Sequence, residues 1–293
     1  MPLSSSHRAP LTPAGFSPPR VMGIVNTTPD SFSDGGRLAT VAAAVDHALR
    51  LIDQGADVLD IGGESTRPGA APVDAAEEIA RTAPVIAAIR ARWDGPISID
   101  TLKPETARAA VAAGATMWND VSALSFQPDS LATAADLGCD VVLMHMKGEP
   151  RTMQADPRYD DVVAEVGAYL VGRAQAAMAA GVARERIWLD PGIGFGKTTA
   201  HNLALTVATD RLAATGFPVL YAASRKRMIL GLDPAATDPL DRLGGSLALA
   251  LEGARRGARM VRVHDVRETV QALRVQAALM DAALLDADAS GAG

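Results

Sequence analysis

The chain carries a single cysteine, Cys139. That excludes a disulfide framework and a multi-cysteine metal site within one chain. Cys139 sits in Leu137-Gly138-Cys139-Asp140, just before an apolar run, so a packed, inert thiol is expected. Aromatic residues are scarce, at 4%; the core must therefore be built from Ala, Val, Leu and Ile. No apolar run reaches the length of a membrane-spanning helix. Cationic excess is lacking too: 28 Lys and Arg against 34 Asp and Glu leave a net charge of −6. That argues against non-specific nucleic-acid binding. It also means that an anionic ligand would need cations gathered locally. The histidines His7, His47, His145 and His201 form no metal-ligand spacing. Residues 1–19 are rich in Ser and Pro and have no apolar stretch of the secretory kind. They are expected to form a loose tail, residues 288–293 a second one, and the protein is expected in the cytoplasm.

What the chain does have is alternation. Strand-like apolar runs fall at 20–26, 57–61, 96–100, 115–119, 140–146, 186–190, 218–223 and 260–264. Helix-like stretches lie between them, at 39–54, 72–92, 104–113, 128–137, 158–180, 200–215, 239–256 and 266–286. Gly-Ala recurs before strands, at Gly55-Ala56, Gly114-Ala115 and Gly257-Ala258, as a glycine helix end followed by a short loop would produce. Eight strand–helix units predict parallel pairing with right-handed crossovers. The expected fold is α/β, a single-domain (β/α)8 TIM barrel over residues 20–287. An open doubly wound sheet is the alternative, but the first strand is followed by Asn26-Thr27-Thr28-Pro29-Asp30 rather than a Gly-rich turn.

Seven of those runs stop on polar residues: Asn26, Asp60, Asp100, Asn119-Asp120, His145, Asp190 and Arg262 with His264. In a parallel barrel these ends converge at one mouth. A lone Asp after a strand is often a helix cap; Asp100, Asn119 and Asp190 together could instead read the N–H edge of a heterocycle, with Met144 and Phe195 as walls. Asp60 would orient neighbours by hydrogen bonds. The cations Arg67, Lys226, Arg262 and His264 fall at strand ends or in the following loops, which suits phosphate recognition. For His264, a base or packing role is the alternative. The segment Asp190-Pro191-Gly192-Ile193-Gly194-Phe195-Gly196-Lys197-Thr198 looks like a phosphate loop, but Pro191 stands where that motif needs glycine.

Together these segments resemble the dihydropteroate synthases, of the pterin-binding barrel family. The matching stretches are Gly23 to Gly36, Asp60 to Gly69, Ile99-Asp100-Thr101, Asn119-Asp120, Leu143-Met144-His145-Met146, Asp190 to Lys197, Ser224-Arg225-Lys226 and Arg262 to Val266. The resemblance implies condensation of a dihydropterin diphosphate with 4-aminobenzoate, giving 7,8-dihydropteroate and diphosphate in folate synthesis. It implies Mg2+ as cofactor, contacted by Asn26, and Thr66 on the diphosphate side. It implies that Asp100, Asn119, Asp190 and Lys226 hold the pterin, with Met144 and Phe195 nearby, and that Arg262 and His264 hold the diphosphate. Phe32, Arg67 and Pro68 would help form the aminobenzoate pocket. The only other implied partner is a second copy of the chain, as a homodimer, with helices 239–256 and 266–286 as candidates; no nucleic acid and no membrane is expected. Ala222 stands where glycine is usual, and Arg227 where many relatives have Ser. The alternatives are a pterin-binding methyltransferase working with a corrinoid partner, and a non-catalytic pterin-binding paralogue.

Overall fold

The computed structural model describes residues 17–27, 41–64, 72–148 and 152–291, with side chains described as far as residue 282. Eight strands alternate with helices. They are β1 (Arg20–Asn26), β2 (Val58–Gly62), β3 (Ile97–Asp100), β4 (Met117–Asp120), β5 (Asp140–Met144), β6 (Ile187–Asp190), β7 (Leu220–Tyr221) and β8 (Met260–Val263). All neighbours pair in parallel, in the order β6-β5-β4-β3-β2-β1-β8-β7. A single parallel bridge between Leu189 and Val219 joins β6 to β7, and Leu189 N–H donates to Pro218 O at 3.0 Å. The sheet thus closes into the expected barrel, with its thinnest seam between β6 and β7.

Strand side chains alternate in direction, and the burial pattern follows. One face of each strand packs outward against the helices, in a core that includes Val21, Leu59, Ile61, Ile97, Ile99, Leu143, Leu189 and Val261. The other face points into the barrel, where Met22, Val58, Met117, Val142, Trp188, Leu220 and Met260 form a second, closed cluster. This cluster plugs the barrel floor. Two residues further along β2, β4, β6 and β8 come Asp60, Asn119, Asp190 and Arg262. The same period that buries a Met or Val below therefore presents a polar group above it.

The helices are α1 (Val41–Asp53), α2 (Ala75–Arg90), α3 (Pro104–Ala112), α4 (Ser130–Leu137), α5 (Val162–Ala179), α6 (Thr199–Val207), α7 (Thr209–Ala213), α8 (Arg227–Leu232), α9 (Leu243–Arg255) and α10 (Val266–Gly291). Several differ from expectation. The stretch expected as one helix over 200–215 is broken at Ala208. Thr206 Oγ1 donates to Asn202 O at 2.7 Å and Thr209 Oγ1 to Thr206 O at 2.9 Å, and such back-bonding bends helices. Helix α8 was not foreseen: its six residues follow directly on the Ser224-Arg225-Lys226 loop. Helix α10 continues past the expected end at 286. Helix α5 starts later than the expected 158, at Val162, where Asp161 caps it by accepting from Val163 N–H and Ala164 N–H, both at 3.0 Å. Residues 1–16 of the expected N-terminal tail lie outside the described residues.

Candidate active site

The polar layer above the floor is wired together by hydrogen bonds between distant strands. Arg262 on β8 donates from Nε to Asp60 Oδ2 at 2.6 Å and from Nη2 to Asp100 Oδ2 at 2.8 Å. Asn119 Nδ2 donates to the same Asp60 oxygen at 3.2 Å. Asp60 is fully buried, so its second oxygen, which has no protein partner, stays inside the barrel. Burial works against the charge on Arg262, but Asp60 and Asp100 more than offset it and hold the guanidinium firmly protonated. Two of its five N–H groups are spent on these bonds; the remaining three are available at the mouth.

Burial also pushes the Asp100 carboxyl up, against the pull of Arg262. Asp190 ends β6, in register with Met144 on β5, and its Oδ1 accepts from Gly192 N–H at 2.7 Å. Burial raises it to about 6, opposed by that bond and by Lys226, Arg262 and Lys197. Lys226 is lowered to about 8, by burial first and then by Arg262. Its Nζ lies 4.2 Å from the centroid of the Phe195 ring, a cation–π distance. His264 closes the ring of groups: Ser224 Oγ lies 3.0 Å from its Nδ1 and accepts its backbone N–H at 3.2 Å.

Asn26 ends β1 opposite Gly62. A Cβ at Gly62 would stand 3.6 Å from Asn26 Oδ1 and 3.9 Å from Asp100 Oδ2, so the absent side chain keeps a gap between two hard oxygen donors. Among the described residues no three His, Cys, Asp or Glu side chains gather as a cage for a metal ion. An amide oxygen and a carboxylate fit Mg2+, which keeps waters and shares substrate phosphates instead of needing an all-protein cage.

Asn26, Asp100, Asn119, Met144, Asp190, Phe195, Lys226, Arg262 and His264 thus lie at or just beyond the same ends of the strands. Phe32, Thr66, Arg67 and Pro68 lie outside the described residues. Two groups around the mouth were missed. The first ties the β2 loop to α2 and α3: Glu64 Oε1 accepts from Val73 N–H at 3.2 Å, and Lys103 Nζ pairs with Glu64 and with Glu78, the latter at 3.0 Å. Thr101 and Thr106 hydroxyls also donate to Glu78, each at 3.0 Å. Burial works against the Lys103 charge, but the two carboxylates raise it. The second is Lys197, whose Nζ lies 2.9 Å from His145 Nδ1 and donates to His145 O and Phe195 O at 3.1 and 3.0 Å. Of these residues only the glycine run before Lys197 stands out in the sequence, and its failed phosphate-loop spacing says nothing of an inward-facing lysine.

The family described as "Pterin binding enzyme" matches residues 22–264. The chain belongs to this family. Its curated relatives include the dihydropteroate synthase of Escherichia coli (strain K12), 48% identical over 271 residues that cover 92% of this chain and 95% of the relative. Among solved structures of the family, the Xanthomonas albilineans dihydropteroate synthase with 4-aminobenzoic acid is 55% identical, with a TM-score of 0.84, covering 90% of this chain and 93% of that one. The same enzyme in complex with 7,8-dihydropteroate is 52% identical, with a TM-score of 0.81 over 90% of this chain and 94% of that one.

Proposed function

We propose that this protein is a dihydropteroate synthase, a transferase that joins (7,8-dihydropterin-6-yl)methyl diphosphate to 4-aminobenzoate and releases diphosphate. The observation that carries this is the polar layer at the barrel mouth: two carboxylates and an amide beside a guanidinium, an ammonium and an imidazole. Asp100, Asp190 and Asn119 would accept from the N–H edge of the pterin, and Phe195 and Met144 would flank its rings. Arg262 and His264 would take the diphosphate. Loss of diphosphate leaves positive charge on the pterin methylene, which the Asp190 and Asp100 carboxylates favour; the Arg262 guanidinium favours the departing anion. The arylamine then attacks the methylene carbon, and no covalent enzyme intermediate is required. Asn26, with oxygens of the diphosphate, would hold Mg2+, which supplies charge neutralisation at the leaving group when bound. Phe32, Thr66, Arg67 and Pro68 are assigned to the aminobenzoate and diphosphate sides by the family resemblance.

The partners would be these small molecules and a second copy of the chain. Val275 and Leu279 on α10 are 56% and 67% exposed, which supports pairing through that helix. Light scattering of the purified protein tests the dimer. Among the described residues no helix is long and apolar enough to cross a membrane. Cys139 is buried, and burial raises its thiol to about 11, which supports an inert, packed role; the cytoplasm is the proposed location.

A diphosphate-release assay with both substrates tests the reaction. Release that requires the pterin diphosphate and aminobenzoate together is expected. Pterin binding without release would reduce the protein to a binding module, and methyl transfer to a corrinoid acceptor would make it a methyltransferase.

A further inference from the structure

We propose that Lys197 is a positioning residue for the pterin, pinning the Phe195 loop to the end of β5. The inference rests on the pterin reading of the mouth. In the sequence Lys197 occupies the place of a phosphate-binding lysine after a run of glycines. The structure turns it the other way. Lys197 is 3% exposed, and its ammonium has three N–H groups for three acceptors: His145 Nδ1, His145 O and Phe195 O. None is left for an anion.

These three bonds sew one short loop to one strand end. The loop lies so close to β5 that a Cβ at Gly192 would stand 1.9 Å from His145 O, and one at Gly196 2.2 Å from Lys147 O. Both glycines are left-handed, with φ of 69° and 63°. His145 N–H in turn donates to Asp190 O at 3.1 Å. Lys197 therefore joins the residue that carries the Phe195 ring to the strand that carries Met144. The charged and titratable groups that face Lys197 and His145 are Asp190, Lys226 and Lys147, with the Tyr159 and Tyr169 rings packed against the imidazole. Burial, with Lys197 second, lowers His145 to about 3, so the imidazole is neutral, and the Lys197 ammonium 2.9 Å from Nδ1 selects the tautomer in which Nδ1 accepts. Tyr159 Oη donates to Gly196 O at 2.9 Å, and Gln154 Nε2 donates to Gly194 O. The outer rim of the loop is thus held independently, so loss of Lys197 loosens the Phe195 plate without releasing the loop.

Steady-state kinetics of Lys197→Met, His145→Leu and His145→Asn test this. Lys197→Met is expected to raise KM for the pterin diphosphate by about tenfold, with kcat and the aminobenzoate KM within about threefold of wild type. His145→Leu should shift the same constant in the same direction. His145→Asn, which keeps an acceptor at the Nδ1 position, should restore it. The double variant Lys197→Met/His145→Leu should be no worse than Lys197→Met alone, since the ring contact that His145→Leu removes is already lost with Lys197. Burial lowers Lys197 to about 7, so wild type loses the third N–H as pH rises. The gap in pterin KM between wild type and Lys197→Met should therefore narrow from pH about 6.5 to about 8.5. An unchanged pterin KM in Lys197→Met, equal increases for both substrates, or a His145→Asn no better than His145→Leu would each overturn the proposal. If Lys197→Met does not fold, the two His145 variants decide it. A wild-type enzyme that binds no pterin would instead overturn the functional reading.

Discussion

The floor and the mouth of the barrel are built by the same strands two residues apart, and they obey opposite rules. On the floor, Met22, Val58, Met117, Val142, Trp188, Leu220 and Met260 fill the interior with apolar volume. At the mouth, Asp60, Asn119, Asp190 and Arg262 occupy the next inward position. Burial stabilises the first layer by roughly 25 cal/mol per Å² of apolar surface. In the second layer the same burial opposes every charge, and partners must offset it. Stability and chemistry are therefore separable in this fold by one turn of the pleat.

Arg262 is where that separation should fail most. Arg262→Ala removes the guanidinium that faces the diphosphate and leaves Asp60 and Asp100 without their cation. Turnover should fall by ~10³-fold or more, and stability by about 3–5 kcal/mol, as for a broken buried pair. Kinetics with urea unfolding on one preparation measures both; a loss of activity at unchanged stability would show that the two carboxylates find other partners. Asp190→Asn should instead hold the separation, cutting turnover by ~10²-fold or more at nearly native stability. Met117→Ala on the floor should do the reverse. It should cost about 2–5 kcal/mol in unfolding while kcat/KM stays within a few-fold.

Next in size is the pH profile of kcat/KM. Asp190 must be ionised and Lys226 charged. With the first raised to about 6 and the second lowered to about 8, activity should rise as pH climbs through the lower value and fall through the upper. Asp190→Asn should leave only the part of the acid limb that Asp100, also raised by burial, carries, and Lys226→Arg should move the alkaline limb upward; a flat profile between the two values would remove these groups from the chemistry. Asn26→Ala should raise the Mg2+ concentration needed for half-maximal activity by ~10-fold, read by titrating the metal into chelator-treated enzyme. The smallest change is expected from Ala222→Gly, which removes one methyl beside the mouth and should alter pterin KM by no more than about threefold.

The period-2 alternation explains why the barrel and its polar rim were legible from sequence. Apolar runs ending in Asp, Asn or Arg encode both the fold and the direction in which the last side chain points. Strand β7 was legible only in part, since two of its expected six residues pair as strand. Helix α8 was not legible because its start depends on Arg242, which donates to Arg225 O at 3.1 Å, to Ala236 O at 3.0 Å and to Thr237 O at 2.7 Å. The bonds of Lys197 to His145 and of Glu64 to Lys103 span 52 and 39 residues. No local period carries such pairs, and the glycine run before Lys197, which fails the phosphate-loop spacing, does not reveal that this lysine faces inward.

The seam between β6 and β7 has a mechanical consequence. It is spanned by one bridge, and Asp190 and Lys226 stand on its two sides. A flat ligand gripped by both residues would act as a clasp across the weakest hoop of the barrel. Occupancy should then slow amide exchange at Leu189 and Val219 well before it affects the strands on the far side.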